Sequence, residues 1–282
     1  LQLIGSGGSV GTNEAADGLE SLELMIKSWQ VEGIKLWTLT EGRIFTVDSQ
    51  ASYSLPGARG CKITELVETT LDADEAAGQT VLSVTSTTGF TNSDVIGIML
   101  DAGTIHWTTI SSFVAGDTVT IASALPSAAS SGNDVFVYTV AIERPLEILD
   151  IRLLEDGREQ QINQMSRDDY FRQPDKTTAS TPNQWFYDPQ LTTGKLYLWP
   201  PPSDEATMLN VTYKRMIEDF DSGSNDPDFP AEWIETLGYN LAVRIAPQYG
   251  RPVPPEVLAV AGQLKDTLED WSQETGSIQF SA

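Results

Sequence analysis

The sequence predicts an α+β fold in which N- and C-terminal helices form an α-helical bundle and antiparallel β domains are inserted between them, one of them a small β-barrel or sandwich. Helical periodicity is concentrated towards the two ends of the 282-residue chain. Between them, apolar residues alternate in short runs punctuated by glycine and proline. A stretch from about Lys62 to Tyr138 stands apart through its Thr, Val, Ser, Ala and Gly content. These shifts divide the chain into four segments: residues 1–48, the first part of the bundle with a hairpin; 49–61 with 139–225, a β domain; 62–138, the inserted small domain; and 226–282, the closing helices and tail.

From the N-terminus, Leu1 to Gly11 is short and glycine-rich, and Thr12 or Asn13 can cap the first helix. Ala15, Leu19, Leu22, Ile26 and Trp29 step by four, three, four and three, which places them on one helical face, and Gly33 supplies a stop. IKLWTLT and RIFTV then read as two short strands about a turn at Glu41-Gly42. Beyond Lys62 come five strand candidates, QTVLSV, DVIGIML, IHWTTI, DTVTIA and DVFVYTV, with hairpin connections at Asp101-Ala102-Gly103 and Ala115-Gly116-Asp117. LEILDIRLLE and REQQINQMS form a hairpin about Gly157, and one slip in the alternation between Ile148 and Ile151 signals a bulge. Ser166 caps a short helix, SRDDYFRQ, and NQWFYDPQ, KLYLWPPP and TMLNVTYKRM complete a second β unit.

The closing helices begin at Pro230 and Glu232, after which Trp233, Leu237, Leu241 and Ile245 recur every fourth residue. Pro247 either kinks this helix or ends it. Pro254 and Pro255 open a second helix carrying Val257, Val260, Leu264, Leu268 and Trp271 at steps of three and four. The predicted bundle core is therefore Leu19, Leu22, Ile26, Trp29, Trp233, Leu237, Leu241, Ile245, Leu264, Leu268 and Trp271.

Forty Asp and Glu against 17 Lys and Arg give a formal net charge of -23. So acidic a surface makes few counterion-releasing contacts with phosphates, which argues against ordinary nucleic-acid binding and suits a surface that lies beside DNA without adhering to it. No apolar run approaches a membrane span. The first residues lack the basic start and long apolar core of a signal peptide, and a cytosolic product is expected. Cys61 stands alone, so neither an intrachain disulfide nor a thiolate metal site follows from it.

No catalytic, cofactor-binding or metal-binding residue is predicted. His106 sits inside a strand candidate without a cysteine or carboxylate cluster beside it. Asp219, Asp221, Gly223 and Asn225 imitate the alternate spacing of a calcium loop, but Pro230 stands where the bidentate glutamate belongs. Trp185, Phe186, Tyr187, Tyr197 and Trp199 alternate as strands packed on both faces do, which favours core or subunit contact over a sugar platform.

GLESLELMIKSWQVEGIKLWT, RPLEILDIRL, WFYDPQLTTGKLYLWPPP and FPAEWIETLGYNLAVRIAPQYG resemble the head-to-tail adaptors of tailed bacteriophages, also called packaged-DNA stabilisation or tail accessory proteins. The resemblance covers essentially the whole chain and is most specific over Leu19 to Trp37 and Phe229 to Gly250. The region from about Thr69 to Tyr138 resembles a small domain that some of these adaptors carry as an insertion. The resemblance implies a structural virion protein of the neck, made in the host cytoplasm and not an enzyme. It implies a twelve-subunit ring beneath the portal protein that extends the DNA channel, helps retain packaged DNA without sequence-specific contact, and receives tail or nozzle proteins. It also implies a C-terminal tail that reaches the portal, here Ile278, Gln279 and Phe280, with a frayed terminus as the competing expectation. Two other readings stay open: a carbohydrate-binding or carbohydrate-active β protein of the tail using Trp185, Tyr187 and Trp199, and a soluble oligomeric scaffold outside any virus.

Overall fold

The computed structural model describes residues 12–32, 39–57, 59–155, 157–215 and 233–272. The chain forms two compact units, Leu1–Thr38 with Ile217–Ala282, and Leu39–Met216. The α+β class with several antiparallel sheets is borne out.

In the helical unit, α1 spans Thr12–Glu32, α3 Trp233–Ile245 and α4 Pro255–Ser272; α2, Arg167–Arg172, belongs to the other unit. The stripes predicted from spacing converge: Ile26 and Trp29 of α1, Trp233 and Leu237 of α3 and Leu268 of α4 share one buried cluster, with Leu22 and Leu241 at its margin. Met25 also joins it. Burying stripes from three helices in one cluster is what stabilises helices of this length, since propensity alone is marginal. Ile245 packs instead with Ala242 and Ala246 in a satellite cluster. Leu19 and Leu264 are half-buried outside both clusters, and the Trp271 side chain lies outside the described residues. Pro247 ends the α-helix. Lacking an N–H and crowding the carbonyl four residues back, it leaves a 3-10 turn, Ala246–Tyr249, closed by Gly250 at φ 59° with the Arg251 N–H donating to Ala246 O at 3.0 Å. The Asn240 side-chain amide donates to Ala261 O at 3.1 Å, pinning α3 to α4, and Lys265 meets Glu32 at 2.6 Å across α4 and α1.

The β unit contains β1 (Leu39–Phe45), β2 (Ser52–Leu55), β3 (Gly60–Lys62), β4 (Leu66–Thr70), β5 (Val81–Ser83), β6 (Val95–Met99), β7 (Ile105–Phe113), β8 (Thr118–Ile121) and β9 (Asp134–Tyr138). β10 (Glu147–Glu155), β11 (Arg158–Gln161), β12 (Asn163–Gln164), β13 (Gln184–Asp188), β14 (Gly194–Trp199) and β15 (Met208–Lys214) complete it. Three sheets result, ordered β11-β10-β15-β1-β3, β12-β13-β14-β2 and β4-β9-β6-β7-β8-β5. The first two pack face to face over the main core, Ile44, Ile151, Leu153, Val211 and Tyr213 from one meeting Tyr53, Leu55, Trp185, Leu196 and Leu198 from the other.

Strand pairing corrects two expectations. Glu41-Gly42 is not a turn: β1 runs straight through it, paired on both sides with β15 and β3. Gly42 suits the close packing there, because a Cβ would lie 2.6 Å from Ile142 Cδ1 and 3.2 Å from the Cys61 carbonyl oxygen. This strand therefore belongs to the β unit rather than with the N-terminal helix. Within this unit β13 and β14 lie in the four-stranded sheet and β15 in the five-stranded one: Pro200, Pro201 and Pro202 cannot donate to a ladder, so the chain leaves β14 and crosses to the other layer before β15. The expected bulge is present, as the β10–β15 register shifts between Ile148 and Asp150.

Lys62 ends β3 of the first sheet, and the rest of the expected insertion, from β4 to β9, builds the third sheet, all five strand candidates becoming strands and β4 adding a sixth. Leu71 bridges Val84, and Asp72 N–H donates to Ser83 O at 3.0 Å while Thr85 N–H donates to Thr70 O at 2.9 Å, so the sheet's two edges meet. The sheet is fixed to its host through a second apolar cluster, in which Phe45, Cys61 and Met208 face Ile105, Phe136 and Tyr138. The buried Glu205 carboxylate accepts the Ile105 N–H at 2.7 Å and faces Arg59 at 3.6 Å, tying the same junction together.

Candidate interaction surface

Strand alternation decides which aromatics are available. Trp185 and Tyr187 point into the main core, where the Trp185 indole N–H donates to Ile162 O at 3.1 Å and the Tyr187 hydroxyl to Pro145 O at 2.6 Å. Both are unavailable as a sugar platform. Gly194 permits this arrangement, since a Cβ there would lie 2.0 Å from the Tyr187 hydroxyl.

The opposite face of the same strands carries Phe186 and Tyr197, cross-strand partners whose rings stack with centroids 5.8 Å apart and planes 12° apart. Over them lies α2, capped as its sequence predicts: Ser166 Oγ accepts the Asp169 N–H at 3.1 Å. Tyr170 turns inward to 4.9 Å from Tyr197, and Phe171 remains 51% exposed. Lys176 Nζ stands 5.0 Å from both the Tyr170 and Phe171 ring centroids, and Arg167 Cζ stands 5.3 Å from Phe171. The loop after α2 is anchored because the Trp199 indole donates to Asp175 O at 2.9 Å. Hydrogen bonds from the side chains and backbone of Thr178 and Thr177 hold the Asp175 carboxyl well below the usual carboxylate range. Together these residues make an aromatic face with a cationic rim. Tyr170, Phe171 and Lys176 were not singled out by sequence reasoning; the signal was the outward phase of Phe186 and Tyr197 beside a short helix carrying two adjacent aromatics. The β13–β14 hairpin projects Leu191, 91% exposed, from the same sheet.

The outer face of the five-stranded sheet is polar where the inserted sheet leaves it uncovered. Arg43 Nε donates to Asn210 Oδ1 at 3.0 Å and pairs with Glu68, while Arg152 donates to Glu41 at 2.8 Å and faces Asp150 and Glu159 at 3.4 Å. The bond to Glu41 above all raises the Arg152 pKa. With one or both partners open to solvent, such pairs contribute little to stability.

His106 lies on β7 with Nε2 3.2 Å from Ser123 O, and among the described residues no three His, Cys, Asp or Glu side chains are grouped to hold a metal. A cleft of about 240 Å³ is lined by Tyr53, Ser54, Leu55, Gly57 and Arg59 among others; its charged group, Arg59, turns to Glu205. Ile278, Gln279 and Phe280, the calcium-like loop at Asp219–Asn225 and the helix start at Pro230 lie outside the described residues. No described helix is long and apolar enough to cross a membrane.

The model of the SU10 adaptor protein family matches residues 99–275, more than half of the chain. No curated protein matches the sequence. Among solved structures, VP17, a capsid protein of bacteriophage P23-77, aligns at 13% identity over 65% of this chain and 77% of that chain, with a TM-score of 0.12, too low to carry an argument.

Proposed function

The chain belongs to the SU10 adaptor protein family, and from that premise we propose that it is a non-enzymatic virion protein acting as a head-to-tail adaptor. In this reading twelve copies form a ring below the portal protein, extend the DNA channel, help retain packaged DNA and offer the attachment site for tail or nozzle proteins. The helices that share the Ile26–Trp233–Leu268 cluster act as a bundle, and the inserted sheet with its bridged edges acts as a small barrel. The observation that carries the reading is the family match over residues 99–275. The net charge of -23 supports it, because an acidic lining lets DNA slide past without phosphate contacts.

Native mass spectrometry of the chain with and without the portal of the same virus tests this reading. Addition of twelve copies per portal ring is expected; a chain that never adds to the portal rejects it. Residues Ile278 to Phe280 are assigned to the portal contact, so Phe280→Ala is expected to weaken docking. Undiminished docking would remove that assignment alone.

A further inference from the structure

We draw no further inference here: the strongest candidate, the aromatic face beside α2 with Phe171 half-exposed and Phe186 stacked on Tyr197, carries nothing because its cations are matched by Asp168, Asp169, Asp175 and Asp188 and nothing in the structure shows what covers it.

Discussion

At the scale of single residues, function depends on side chains whose surroundings allow no alternative. Gly42 is the clearest case. Gly42→Ala places a methyl group 2.6 Å from Ile142 Cδ1 and 3.2 Å from the Cys61 carbonyl oxygen, and Ile142, fully buried in the main core, has to turn within filled space to make room. The expected cost is about 1–3 kcal/mol, read from urea denaturation; a cost below about 0.5 kcal/mol would show that the layer can relax. The buried phenols make a second prediction. Burial pushes Tyr53, Tyr187 and Tyr213 up to about 12 and raises Tyr138 as well. Their neutral form is favoured by the fold, so their contribution is complete below the unfolded pKa of about 10 and is lost as pH climbs from there through about 12. Tyrosinate absorbance is expected to stay low for these four until about pH 11 in the native chain and to appear at about pH 10 once the chain is unfolded in denaturant. Coincident native and denatured titrations would contradict it. Cys61 belongs with them, its thiol pushed up to about 12 by burial, as befits a packing residue.

At the scale of elements, the inserted sheet is a structural part of its host. Cys61 bridges Ala141 and the Ile142 N–H donates to Gly60 O at 2.8 Å, so both ends of the insertion leave the host at one place and a short turn could close the gap. Excising residues 63–138 nevertheless bares Phe45 and Met208, which the insert buries. The excised chain is expected to melt at least about 5 °C lower and to bind a hydrophobic dye, and adding Phe45→Thr with Met208→Thr should abolish dye binding without restoring Tm. An excised chain with unchanged Tm would mean that the junction contributes nothing. The hairpin formed by α3, the 3-10 turn and α4 shows the same economy: Pro247 and Gly250 end one helix, Pro255 starts the next, and Asn240 locks the two together.

At the scale of the whole molecule, charge dominates. A net charge of -23 predicts that duplex DNA is not retained in a mobility shift at about 150 mM salt, with any Kd weaker than about 100 µM. Retention at low micromolar concentration would contradict an acidic channel lining. The same charge makes self-association between like surfaces costly.

Much of this was legible in the sequence, because spacing is a local property. Trp233 and Leu237 at helical intervals, the Ser166 cap, the glycine hairpins at Gly103 and Gly116 and the slip after Ile148 each report the conformation of a few neighbouring residues, and the chain adopts them. Segment resemblance carried the family. What sequence did not reveal depends on which strands become neighbours. Gly42 reads as a turn until Ile142 and Cys61, both distant along the chain, close on it. Whether Trp185 or Phe186 faces solvent depends on which side of the sheet the second layer covers, since a strand presents both faces alike until one is buried. The cation-rimmed face exists only because α2 folds back over β13 and β14. By itself the sequence determined the elements, the balance of charge and the kinship; the tertiary structure alone decided which surfaces remained free to meet a partner, because burial is settled by residues far apart in the chain.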